Sequence, residues 1–180
     1  MLNVRVEQPA DVAAIRSVLE AAFPTSVEAD LVEALRAAGR LRLSLVAEVR
    51  GAVVGYIAFS PVEVQGVPHA KGIGLAPVAV LPAHQGQGGG SRLILAGLAE
   101  CAPAGFGFVV VLGNPAYYGR FGFSPASRWG LGNEYGAGDE FMVLELRPRT
   151  IPAGGGLVRY APEFAAVSAE PPPRATRPGK

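Results

Sequence analysis

The sequence predicts a single α/β domain in the broad (α+β) sense, with strands and helices sharing one core. Three observations carry that expectation. The chain has 180 residues, 49% of them hydrophobic and 17% charged, enough for one full core and too few for two ordinary domains. Segments that alternate apolar and polar residues are interleaved with segments at helical spacing. In Val78-Ala79-Val80-Leu81-Pro82-Ala83-His84-Gln85-Gly86-Gln87-Gly88-Gly89-Gly90-Ser91-Arg92-Leu93, a β-branched strand runs into a glycine-rich turn, and the turn opens a helix.

Each element has its own local reason. Residues 2–8 alternate as a half-buried strand does. Pro9-Ala10-Asp11 then starts a helix with Val12, Ile15, Val18 and Leu19 on one face, and Phe23-Pro24 ends it. Thr25-Ser26-Val27-Glu28 reads as a capping box, with Val27, Leu31 and Leu35 continuing at helical spacing. Residues 43–50 and 52–62 read as strands joined at a tight turn by Arg50-Gly51. Residues 72–81 form the strand before the glycine turn, and residues 91–101 a helix with Ile94, Leu98 and Cys101 on one face. The continuous apolar run 106–112, bounded by Gly105 and Gly113, fits a strand buried on both faces. Residues 115–121 read as a short helix and 140–146 as a closing strand.

After Pro148 the pattern decays. Residues 1–148 are expected to form the domain and 149–168 an extension, with a candidate last strand in Leu157-Val158-Arg159-Tyr160. Residues 169–180, which hold Pro171-Pro172-Pro173, read as a disordered tail.

Composition excludes several function classes. A net charge of +1 gives no electrostatic footprint for nucleic acid or an anionic membrane. Lysine occurs only at Lys71 and Lys180; the arginine bias, with abundant Ala, Gly and Pro, points to a GC-rich bacterial genome. Cys101 is the only cysteine, so no intrachain disulfide is possible. The N-terminus lacks a basic region followed by an apolar run, and residues 93–113 are broken by Glu100, Pro103 and glycines. A cytoplasmic protein is expected. His69 and His84 lack the company a metal site needs, so no metal is expected.

The glycine turn carries the chemistry. A strand–turn–helix junction leaves backbone N–H groups pointing outward at the positive end of the helix dipole, which suits a phosphate. A P-loop would need lysine and then Ser or Thr after its last glycine, whereas Gly90 is followed by Ser91-Arg92. The dinucleotide fingerprint fails at its last position, where Ser91 stands. What fits is Gln85-x-x-Gly88-x-Gly90 after Val80-x-Pro82. This resembles the acetyl-CoA pyrophosphate loop of the GCN5-related N-acetyltransferase (GNAT) superfamily. A second match, Asn114-Pro115-Ala116-Tyr117-Tyr118-Gly119-Arg120-Phe121-Gly122-Phe123, is similar to that family's Asn…Tyr-x-x-x-Gly-Phe segment. The two come in the family's order and at about its spacing, and the resemblance covers roughly residues 2–147.

The resemblance implies a mixed, mostly antiparallel sheet of about seven strands, splayed between strands four and five and flanked by about four helices. It implies acetyl-CoA as cosubstrate. The cofactor-binding residues would be Val78, Ala79, Val80, Gln85, Gly86, Gln87, Gly88, Gly89, Gly90, Ser91, Asn114 and Tyr117. The catalytic ones would be Tyr118, protonating the departing thiolate, and Val78, whose amide would polarise the acetyl carbonyl. Tyr117 replaces Tyr118 if the register differs by one. Where some members carry a glutamate, eleven residues before the loop's Gln, this chain has Gly74; where most carry a bulky aliphatic residue, it has Gly89. The general base is therefore open among Glu63, Glu28, His69 and Glu134. Acceptor specificity is expected in the Phe23-Pro24 loop, a loop at 63–71 and the segment 129–139. The implied function is acetyl transfer from acetyl-CoA to a primary amine of a small molecule or protein, by direct attack in a ternary complex. The alternative is a non-catalytic acyl-CoA sensor of the same fold. The protein would be a monomer or homodimer, with no nucleic-acid or membrane partner.

Overall fold

The molecule is represented by a computed structural model, which describes residues 1–166; the tail expected at 169–180 lies outside the described residues. Strand β1 (Leu2–Val6) leads through a 3-10 turn into α1 (Val12–Ala22) and α2 (Val27–Ala37). Then come β2 (Leu43–Val49), β3 (Ala52–Val64), β4 (Val67–Val80), α3 (Gly89–Cys101), β5 (Phe108–Leu112) and α4 (Pro115–Tyr118). The short strands β6 (Ser124–Pro125) and β7 (Leu131–Asn133) precede β8 (Phe141–Glu145) and β9 (Gly156–Arg159). The sheet runs β1-β2-β3-β4-β5-β8-β6, with β9 joining β3 and β7 pairing β9. Its pairs are antiparallel except β4–β5 and β7–β9. Among the described residues it has nine strands rather than about seven; the extra ones are the two- and three-residue β6 and β7, too short for sequence alternation to reveal.

The β4–β5 pairing is brief: Gly72, Ile73 and Gly74 oppose Phe108, Val109 and Val110, and nothing on β5 pairs with β4 beyond them. β4 continues to Val80, held on its other edge by β3. Along it the register slips, with Ile57 opposite Val78 but Phe59 opposite Leu75, so β4 carries one extra residue. Leu75 and Val78, three apart, consequently face the same core. The sheet therefore divides at its centre into a V, and the bulge lies on the free edge.

Both faces are packed. α3 sets Leu93, Ile94 and Cys101 against Ile57, Phe59, Val109 and Tyr118. Gly97 makes that approach possible, because a Cβ there would sit 2.5 Å from the Phe59 ring. On the opposite face Ile15, Val18 and Leu19 cover Val46, Tyr56 and Ala58. Farther along that face Leu31 and Leu35 close over Val62, Val110, Val158, Tyr160 and Phe164. Cys101 is fully buried, its Sγ 3.2 Å from the Gly97 carbonyl. Outside the core, Arg5 bridges Asp11 at 2.7 Å and Glu48 at 2.9 Å, fastening β1 and β2 to the turn before α1. The Arg5 guanidinium holds the Asp11 carboxyl below the usual carboxylate range, its hydrogen bonds outweighing the opposing effect of burial.

Two local expectations are corrected. Ser26 precedes α2 but makes no side-chain cap; its hydroxyl bonds Asp30 at 3.0 Å instead. The loop expected at 63–71 is a hairpin, because β3 runs on to Val64 and β4 already begins at Val67. Pro61 and Pro68 both fit this irregular arm, where the register shifts between Val62 and Val64.

Candidate active site

The divide between β4 and β5 is the candidate site, and three groups of residues converge on it. The first is the turn after β4. Gly86 and Gly88 have φ of +73° and +79°, conformations costly for any residue with a Cβ. Gly88 is the N-cap of α3 and no side chain caps it. The first helical bond is Arg92 N–H to Gly88 O at 3.0 Å, so the amides of Gly88, Gly89, Gly90 and Ser91 have no intrahelical acceptor. Gly89 is buried, and a Cβ there would meet Leu2 Cδ1 at 3.3 Å. Leu2 thus occupies the space a bulky aliphatic residue at position 89 would need.

The second group is the free edge of β4. The Leu81 amide donates to Val54 O at 2.8 Å, which turns the backbone groups of Leu81 and Ala79 toward β3. By the alternation of an antiparallel ladder, those of Val78 and Val80 face the divide. Gln85 folds back so that its Nε2 donates to Val80 O at 3.0 Å. This bond locks the turn to the strand end, leaving the Val78 backbone and the Val80 amide facing the divide. Gln87 makes a looser bond to Ala83 O at 3.3 Å.

The third group comes from α4. Asn114 is its N-cap, accepting from the Tyr117 amide at 3.2 Å. The cap sends Tyr117 and Tyr118 inward, their rings edge-on with centroids 5.1 Å apart. Tyr118 is fully buried, packed edge-on against Phe123 and lying over Gly113, where any Cβ would collide with its ring. Its hydroxyl has no hydrogen-bond partner among the described residues. An unsatisfied buried hydroxyl costs about 1–3 kcal/mol, so a ligand that completed it would be favoured. Burial, and then Tyr117, push the Tyr118 phenol far above its ordinary value. Tyr117 is half-buried, with the Arg120 guanidinium 4.6 Å from its ring centroid. Burial raises its phenol too; Ser91, close by but outside hydrogen-bonding geometry, and Arg120 ease that rise. Ser91 lies in the first turn of α3, so α4 and the glycine turn approach each other across one end of the divide.

Local sequence gave no sign of Tyr160. Its ring lies over Gly74, the last β4 residue paired with β5, and a Cβ on Gly74 would sit 2.8 Å from Tyr160 Cε1. Its hydroxyl is buried without a partner among the described residues. Its backbone amide donates to Glu134 Oε1 at 2.9 Å. The only hint in the chain was the missing carboxylate at position 74. Among the other base candidates, Glu134 is thereby brought to the divide, whereas Glu63 and His69 stand exposed on the β3–β4 arm. Glu28 is buried on α2. Among the described residues no cluster of His, Cys, Asp or Glu could hold a metal ion, and no helix is long and apolar enough to cross a membrane.

Comparison with known proteins shows the family to which the chain is similar. The model of the acetyltransferase (GNAT) family matches residues 12–123. A protein of Escherichia coli K12, named as the uncharacterized N-acetyltransferase YhbS, is 40% identical over 163 residues, spanning 89% of this chain and 97% of its own. The crystal structure of YhbS from E. coli in complex with CoA superposes with a TM-score of 0.86 at 39% identity, covering 91% of this chain and 92% of that one. A GNAT family acetyltransferase of Brucella melitensis, solved with acetyl-CoA, gives a TM-score of 0.76 at 42% identity, covering 91% and 98%.

Proposed function

Since the chain belongs to the acetyltransferase (GNAT) family, we propose that it binds acetyl-CoA in the β4–β5 divide and transfers the acetyl group to a primary amine. The observation that carries the reading is the divide itself: a free β4 edge with backbone groups turned into it, uncapped glycine-turn amides at one end and the Tyr118 hydroxyl without a partner. Uncapped amides at the positive end of α3 suit a pyrophosphate. That YhbS and the Brucella protein were solved with CoA and acetyl-CoA supports the same choice.

In this reading the amine nitrogen adds its lone pair to the acetyl carbon, and the Val78 amide stabilises the oxyanion that forms. As the tetrahedral species collapses the C–S bond breaks, and the sulfur takes the Tyr118 phenolic proton. The nitrogen gives its surplus proton to water, and water returns a proton to the Tyr118 phenolate, restoring the phenol for the next turnover. The raised phenol keeps Tyr118 in its proton-bearing form at any pH where amines begin to lose theirs.

Gly74 favours a second reading, an acyl-CoA sensor without turnover, because a carboxylate that could serve as base is missing there and the Tyr160 ring covers the spot. One experiment separates the two. Free thiol released from acetyl-CoA is measured across a panel of primary amines, with acetyl-CoA affinity measured by calorimetry. The enzyme releases thiol with at least one amine; tight binding without release with any of them leaves the sensor. Gly88→Glu, which puts bulk and negative charge at the uncapped helix end, should weaken acetyl-CoA binding at least a hundredfold while the protein stays folded. Undiminished affinity in that variant removes the pyrophosphate assignment.

A further inference from the structure

We propose that Tyr160 receives the acceptor, its Oη accepting a hydrogen bond from the N–H of a primary amine carried on an apolar body, where β4 and β5 part. The proposal rests on the acetyl-transfer reading and names which of the chain's own residues meets the second substrate.

Three independent observations point there. Tyr160 is only 8% exposed, yet its hydroxyl has no partner among the described residues. A hydroxyl that only filled space would be replaced without loss by a hydrogen. Its place is set by backbone rather than chance, since Gly74 carries no Cβ to keep the ring away from the last paired residue of β4. The ring also stands on the face opposite α3 and the glycine turn, so an acceptor reaching it does not cross the proposed acetyl-CoA path.

The surroundings define the ligand. Tyr135 and Phe164 flank Tyr160 with ring centroids at 5.8 and 5.1 Å, giving an apolar, aromatic wall. Glu134, exposed and paired with no cation among the described residues, is anchored to the Tyr160 amide at 2.9 Å. It places a negative charge beside Tyr160, which favours an ammonium and repels an anionic amino acid. Burial chiefly, then Tyr135, Glu134 and Tyr118, push the Tyr160 phenol well above its ordinary value, so it meets the amine as a neutral hydroxyl with lone pairs to offer. Tyr118 and Tyr160 belong to the cores on opposite faces of the sheet. One would serve the sulfur and the other the nitrogen.

Tyr160→Phe removes the hydroxyl and keeps the ring. The full chain is assayed for thiol release, and phenethylamine and ethanolamine are titrated into the CoA-saturated protein by calorimetry. The variant should bind phenethylamine at least tenfold more weakly, or turn it over at least tenfold more slowly. Its acetyl-CoA affinity should stay within twofold and its Tm should be equal or higher, because no protein partner is lost. Glu134→Gln should weaken phenethylamine binding severalfold, and the loss should shrink at high salt. Unchanged amine binding and turnover in Tyr160→Phe overturn the proposal, as does a fall in Tm of several degrees with amine kinetics intact. If the parent binds phenethylamine but never acetylates an amine, the transfer reading fails while the Tyr160 contact still stands or falls on binding. If the parent binds neither amine, the Tyr160 assignment fails even where acetyl-CoA binds well.

Discussion

Burial without a hydrogen bond makes Tyr118 a costly residue in the isolated protein and a useful one in a complex. Tyr118→Phe removes a polar atom that nothing satisfies among the described residues, so melting temperature should hold or rise. If the hydroxyl protonates the departing thiolate, kcat should fall about 10²–10⁴-fold while acetyl-CoA affinity stays within a few fold. Stopped-flow thiol detection beside a thermal melt reads both; an intact kcat would leave the hydroxyl without a catalytic part. The pH profile follows from the direction of the shift. A phenol raised above about 10 stays protonated throughout the range in which the amine is freed. Activity should therefore rise with pH as the amine deprotonates, with no fall setting in below about pH 10. A descending limb centred near pH 8.5 would belong to some other group.

At the scale of elements, α3 is held by a tight seat at Gly97. Alanine at position 97 would gain up to about 1 kcal/mol of helix propensity, but its Cβ would meet the fully buried Phe59 ring at 2.5 Å. Overpacking of that kind costs roughly 1–3 kcal/mol, so Gly97→Ala should lower stability in a denaturant titration, and a gain would mean that the ring can move. The same elements mark where sequence was informative. The run from Val78 to Leu93 was legible because every cue in it is local: β-branched residues, glycines needing positive φ, then helical spacing. Asn114 to Phe123 was legible likewise, since the cap and the tyrosines it orients lie within one turn. The β3–β4 arm was not, because its hairpin is made by the pairing of Val64 with Val67 across a turn, a contact the expected loop at 63–71 did not include. Tyr160 was beyond local reading altogether; it meets Gly74, 86 positions earlier in the chain, only because β9 pairs with Glu63 and Val64.

For the whole molecule, the edge of the sheet nearest the N-terminus is tied down electrostatically. Asp11 is buried, accepts from the Gln8 amide at 2.7 Å and is paired with Arg5, and its carboxyl is held below its ordinary value. A depressed carboxyl contributes stability that is fully present above its unfolded value, about 3.9, and is lost as pH falls through the folded one. Asp11→Asn should therefore cost about 1.5–3 kcal/mol at neutral pH, the range for hydrogen bonds to charged groups. The gap between variant and parent should close as the medium is acidified below about pH 4. Chemical denaturation at pH 7 and pH 3 tests it; a gap that stays constant would mean that Asp11 acts through shape rather than charge.

The burial of Cys101 reaches beyond packing. Its thiol is pushed up to about 12 by burial, with Glu100 adding to the rise, and only a thiolate attacks a disulfide. A protein that liberates CoA produces a free thiol at every turnover, and an exposed cysteine would be captured by oxidised CoA as a mixed disulfide. This chain, whose sole cysteine is sealed beneath α3, is inert to that reaction while folded. In an assay of the proposed transfer, disulfide reagents would then read released CoA alone, with no background from the protein until it unfolds.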